Sequence, residues 1–153
     1  VSAEATEVLF YHLERQPLER VLPGLIERSL ERGWRVVVQA GSEERLGALD
    51  MALWTYREDS FLPHGREADG RPEYQPVYLT TGDENPNRAN VRFLVDGTEA
   101  GDPAGYVRLV YLFDGHDPAA VEVARRQWQA LKGAGCAVTY WQQGETGRWE
   151  KKA

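Results

Sequence analysis

Apolar positions along this chain switch between the two spacings that mark strands and helices. The run at 7–13 (EVLFYHL) is short, apolar and aromatic, and reads as a strand. Pro17 then sits where a helix can start, and Leu18, Val21, Leu22, Leu25, Ile26 and Leu30 recur at helical spacing as far as Arg32. Gly33 ends that helix. The run at 34–40 (WRVVVQA) is almost continuously apolar and β-branched, as expected of a strand covered on both faces of a parallel sheet, so the first forty residues predict a β-α-β unit. Leu46, Leu49, Leu53 and, at its edge, Trp54 mark a second helical stripe. Ser42 can cap this helix, Glu43 and Glu44 suit its positive end, and it must stop before Pro63.

Residues 57–75 are rich in Gly, Pro and charge and read as a long surface loop. PVYLTT at 76–81 and NVRFLV at 90–95 read as strands, separated by the turn sequence GDENPNR. That linker closes a hairpin only if the two are antiparallel neighbours, and the pattern leaves their pairing open. YVRLVYLF at 106–113 is a further strand. Asp117 and Pro118 then begin a helix reaching about Lys132, which Gly133 and Gly135 end, and AVTYWQ at 137–142 forms a last strand. Residues 1–143 read as one α/β domain, and 144–153, polar apart from Trp149, as a short extension. Strands separated by helices, with apolar runs on both faces, predict a three-layer α/β/α fold of about five mostly parallel strands with Rossmann-like topology.

Such folds often hold nucleotides, so the motifs for that chemistry matter. After the first strand the sequence is HLERQPLERV, with no glycine to let backbone amides approach a pyrophosphate, and neither G-x-G-x-x-G nor G-x-x-x-x-G-K-S/T occurs. His12, His64 and His116 lack the spacing of a metal pair and read as surface or capping residues. Asp50, Glu58, Asp59 and Asp117 could supply an acid/base pair, but each is explained more simply as helix surface or cap. No catalytic, cofactor-binding or metal-binding residue is therefore expected. The formal net charge of -6 opposes nucleic acid, so DNA contact is expected only indirectly. A single cysteine, Cys136, suits a reducing cytoplasm, and no apolar run approaches the ~20 residues that cross a bilayer, so a soluble, cytoplasmic protein without a membrane partner is expected.

One stretch is more specific than any of these features. Leu49-Asp50, Leu53-Trp54 and, six residues on, Ser60-Phe61-Leu62-Pro63-His64 together resemble the signature of the chi subunit of bacterial DNA polymerase III. The resemblance extends over roughly 6–142, because the later strand, the helix beginning near an aspartate and the terminal aromatic strand follow in the same order. It implies a non-catalytic accessory subunit of the clamp loader that acts in DNA replication by tethering, and it implies two docking surfaces. A psi subunit, or another clamp-loader or helicase protein, would contact Leu53, Trp54, Phe61, Leu62 and Pro63. Read as residues, Trp54 suits a partner and Leu53 suits the core, while Phe61 is open between the two.

The second implied surface is the last helix, as the site for the acidic C-terminal tail of single-stranded DNA-binding protein. Val121, Ala124, Trp128 and Leu131 follow a core-facing stripe, with Arg125, Gln129 and Lys132 beside it. A guanidinium can take a terminal carboxylate in a forked pair while Trp128 receives the last apolar side chain. Trp128 replaces a tyrosine of the family and Gln129 replaces a lysine, which removes one positive charge that Arg126 or Lys132 would have to supply. Without the resemblance, these residues read as a solvated helix flank. The reading from another class is a small nucleotide-binding or hydrolytic α/β enzyme with diverged motifs.

Overall fold

The computed structural model describes residues 6–56, 64–66 and 69–153. Strand β1 (Glu7–Leu13) leads through helix α1 (Leu18–Glu31) to β2 (Val36–Gln39), and α2 (Glu43–Trp54) follows. A two-residue strand β3 (Gly65–Arg66) precedes β4 (Val77–Thr80), β5 (Val91–Leu94) and β6 (Arg108–Asp114). Helix α3 (Pro118–Gly133), β7 (Ala137–Gln143) and β8 (Trp149–Lys151) complete the fold. Among the described residues the eight strands form one sheet, ordered β3-β4-β2-β5-β6-β1-β7-β8. Every pairing is parallel except that of β7 with β8.

The helix starts follow from local chemistry. Ser42 Oγ accepts from the Arg45 amide at 3.1 Å, and Asp117 Oδ1 accepts from the Ala119 amide at 3.0 Å with Pro118 as the first helical residue. Alternation along the strands then sorts side chains onto two faces. Leu13, Val36, Val38, Val110 and Leu112 pack with Leu22, Ile26, Leu49 and Leu53, which places α1 and α2 on one face. Val8, Phe10, Leu109 and Tyr111 pack with Ala124 of α3 on the other. The result is the expected three-layer arrangement with a mostly parallel sheet.

Three features differ from the pattern-based reading or complete it. β4 and β5 form no hairpin, because β2 lies between them and is parallel to both. Residues 144–153, expected to extend past the domain, supply β8, whose Trp149 ring meets Tyr11 edge-on at 4.6 Å. Over β2, β4 and β5 the second face is covered by loops rather than by a helix, and the fully buried Arg92 pins them. Its Nε donates to Gln39 at 2.9 Å, Nη1 to the Glu84 carbonyl and the Tyr106 hydroxyl at 3.0 Å each, and Nη2 to the Gly82 carbonyl at 2.6 Å. A buried guanidinium costs several kcal/mol unless its donors are matched, and here each nitrogen has a partner.

Candidate docking surfaces

At the C-terminal end of α2 the core stripe and the exposed stripe lie one residue apart. Leu49 and Leu53 are fully buried, whereas Trp54 is 56% exposed and Met51, one turn earlier, is 63% exposed. Leu53 therefore supports this surface from beneath and does not line it. Phe61, Leu62 and Pro63 lie outside the described residues. The far end of that segment returns to the helix: the His64 ring, its side chain 1% exposed, donates from Nε2 to Asp50 Oδ1 at 2.7 Å and meets Trp54 edge-on at 5.1 Å. The aspartate, tryptophan and histidine of the signature thus form one contact, in which Asp50 holds His64 and His64 orients the indole. Sequence reasoning treated Asp50 and His64 as separate surface or capping residues, because a hydrogen bond across fourteen positions has no local signal. It also missed Met51, whose exposure follows from its place beside Trp54 on the helix circumference.

On α3, Arg125, Gln129 and Lys132 are exposed and Trp128 is half-buried. The Trp128 ring stands edge-on to Phe10 at 5.7 Å and to Tyr140 at 6.2 Å, with Lys132 Nζ 5.9 Å from its centroid. This fixes one side of the indole on the sheet and leaves a cation beside the other. Arg125 has no ion-pair partner among the described residues, and its charge reaches Tyr140. Burial pushes the Tyr140 phenol up, Glu14 adds to that, and Arg125 opposes it. The Tyr140 hydroxyl is hydrogen-bonded to His12 Nδ1, and the Glu14 carboxylate lies 2.8 Å from His12 Nε2. Tyr140 was legible only as part of an aromatic strand, and its place against Trp128 comes from the β1–β7 pairing, which sets it beside Phe10. Gln127, between the named residues, is buried and donates to the Gly97 and Thr98 carbonyls at 3.2 and 3.1 Å.

The usual ligand position of an open α/β sheet is the crevice at the carboxyl ends of strands whose connections leave to opposite faces. Here β1 and β6 are such a pair, and a cavity of about 690 Å³ lies between the loops that follow them. Its charged groups are tied to one another or to the backbone. Arg45 binds Glu19 at 2.9 Å and Asp96 at 3.1 Å, Asp117 caps α3, Asp114 accepts from the His116 amide, and the His116 ring meets the Glu14 carbonyl. Of the candidate acid/base carboxylates, Asp50 is engaged by His64, Asp117 by its own helix, and Glu58 and Asp59 lie outside the described residues. No group of three or more potential metal ligands occurs among the described residues. No helix among them is long and apolar enough to cross a membrane.

The described residues thus combine a mostly parallel α/β sheet with an exposed indole at the end of one helix and a basic, aromatic flank on another. The model of the family described as DNA polymerase III chi subunit, HolC, matches residues 5–139, and the chain belongs to that family. A relative from Rickettsia prowazekii (strain Madrid E), described as a probable DNA polymerase III subunit chi, is 30% identical over 89 residues. That match covers 58% of this chain and 54% of the relative, so the chain spans about half the length of the curated protein it matches.

Proposed function

We propose that this protein is a non-catalytic accessory subunit that links the DNA polymerase III clamp loader to single-stranded DNA-binding protein by holding that protein's acidic C-terminal tail. The observation that carries the reading is the Arg125 guanidinium, without an ion-pair partner among the described residues, next to a Trp128 ring fixed by Phe10 and Tyr140. A terminal carboxylate would take the forked donors of Arg125, and the last apolar side chain would rest on Trp128. Lys132 supplies a second charge close to the ring, which offsets the loss of a cation at Gln129. Exposed charge pairs of this kind give weak binding, and tethering turns weak binding into residence time when many tails are displayed on one strand.

The α2 surface would take the clamp-loader partner, psi or another protein, through Met51 and Trp54; Phe61, Leu62 and Pro63, outside the described residues, are the further candidates from the sequence. Burying an aromatic or Met side chain contributes about 1.5 to 3 kcal/mol, so a few anchors suffice. The test is a calorimetric titration with a peptide copying the acidic tail, using the intact protein and Arg125→Ala. Saturable binding that weakens about tenfold in the variant supports the site. Equal affinity of the two proteins removes Arg125 from it.

A further inference from the structure

A third surface lies on the opposite side of the sheet from α3. Tyr11 and Trp141 are paired in register and share the face that α1 covers, and Trp149 of β8 joins them against Tyr11. The ring centroids stand 6.3 Å apart for Tyr11 and Trp141 and 4.6 Å for Tyr11 and Trp149, giving one aromatic row along the sheet edge. Two adjoining depressions, of about 270 and 600 Å³, open beside this row. Arg28, Arg32 and Arg108 line the first and Arg20, Arg28 and Arg148 the second, so Arg28 joins them. From Arg20 on α1 to Arg32 at its C-terminal cap, twelve residue steps span ~18 Å along the helix axis.

The charge of this region is opposite to that of the molecule. Five guanidiniums line the two depressions and the single carboxylate there, Glu7, is paired with Arg108 at 2.7 Å. Arg20, Arg28, Arg32 and Arg148 have no ion-pair partner among the described residues. Arg32 and Arg108 are further steadied over Trp34, at 4.9 and 5.0 Å from its ring. The formal net charge of -6 opposes a polyanion at long range, but salt screens charges beyond ~8 Å, so contact is governed by the local guanidiniums.

We infer that this face binds single-stranded nucleic acid, with phosphates on Arg20, Arg28, Arg32 and Arg148 and bases against the Tyr11, Trp141 and Trp149 row. Cations interleaved with aromatic rings match a ligand that alternates phosphate and planar base. An acidic peptide would satisfy the charges and leave the rings without a planar partner. The inference stands apart from the tail site, since α3 packs on the other face.

The test is fluorescence anisotropy of a labelled oligothymidylate titrated with the full chain at low and high salt. The expected result is saturable binding whose logarithm falls with log salt at a slope of about -3, since each of the four phosphate contacts on a single strand contributes ~0.7. Arg28→Glu with Arg148→Glu should weaken it at least tenfold while the melting temperature is unchanged, and Arg71→Gln, a cation elsewhere, should leave it intact. No saturable binding at low salt, or full affinity in the double variant, overturns the inference. Displacement of the bound oligonucleotide by polyglutamate as effectively as by unlabelled oligothymidylate also overturns it, and reassigns the face to an acidic protein.

Discussion

The two proposed docking surfaces, the α2 end and the α3 flank, both carry an aromatic ring, yet they are held in different ways. At α2 the exposed indole is oriented by a hidden hydrogen bond, Asp50 to His64, and rests on a helix whose neighbouring leucines are core. At α3 the charged residues stand in solvent, and only Trp128 is anchored, by Phe10 and Tyr140. The difference teaches what each surface can lose. Damage at α2 should appear as lost stability, and damage at α3 as lost binding in a protein that remains folded.

The largest expected effect is at the α2 end. Leu53→Ala should cost about 2 to 5 kcal/mol, because Leu53 is buried among α1 and sheet side chains and its removal leaves a cavity. Denaturant unfolding measures this, and a cost below about 1 kcal/mol would place Leu53 at a surface instead. Next comes the floor beneath the α3 flank, where Tyr111 stacks on Phe10 at 4.7 Å and burial pushes its phenol up to about 12, opposed by a hydrogen bond from the Ala100 backbone. Because the folded-state value is raised above 10.0, the unfolded chain loses this proton first. The stability it contributes is complete below pH 10 and is lost as pH rises towards about 12. The loss is roughly 2 to 3 kcal/mol. Tyr111→Phe should flatten that alkaline slope, and an unchanged slope would assign it to another group.

Smaller effects separate the surfaces more sharply. Asp50→Ala removes the hydrogen bond from the buried His64 Nε2, for about 1 to 3 kcal/mol of stability, and should shift Trp54 emission as the neighbouring ring moves. Unaltered emission would mean that His64 does not orient Trp54. Gln129→Lys restores a cation beside Trp128 and should strengthen tail-peptide binding by about 0.2 to 1 kcal/mol without changing the melting temperature. Weaker binding in that variant would mean that residue 129 faces away from the peptide's charge.

What could be read beforehand divides along the same line. Ser42 and Asp117 announce helix starts through bonds made within three residues, Pro118 does so through its fixed backbone angle, and the α1 and α2 stripes announce their faces by spacing alone. Partners distant in sequence leave no such mark. Thus β2 between β4 and β5, Asp50 with His64, Tyr140 with Trp128, and Arg92 reaching four groups on three segments all required the fold. Trp149 was legible as the one apolar residue of a polar tail, but its strand exists only because β7 offers an edge and Tyr11 a ring to meet. At the α3 site, Arg125, Gln129 and Lys132 were readable from helical spacing as an exposed set, whereas the aromatic wall behind them was not.

The most direct test of the central claim is a crossed calorimetric titration of the acidic tail peptide into the intact protein, Arg125→Ala and Trp54→Ala, each at low and high salt. The account predicts saturable, salt-sensitive binding that Arg125→Ala weakens about tenfold and Trp54→Ala leaves unchanged, and that disappears when the peptide's last residue is deleted. Binding that ignores salt and Arg125 but falls with Trp54→Ala would contradict it, and would place the tail at the end of α2.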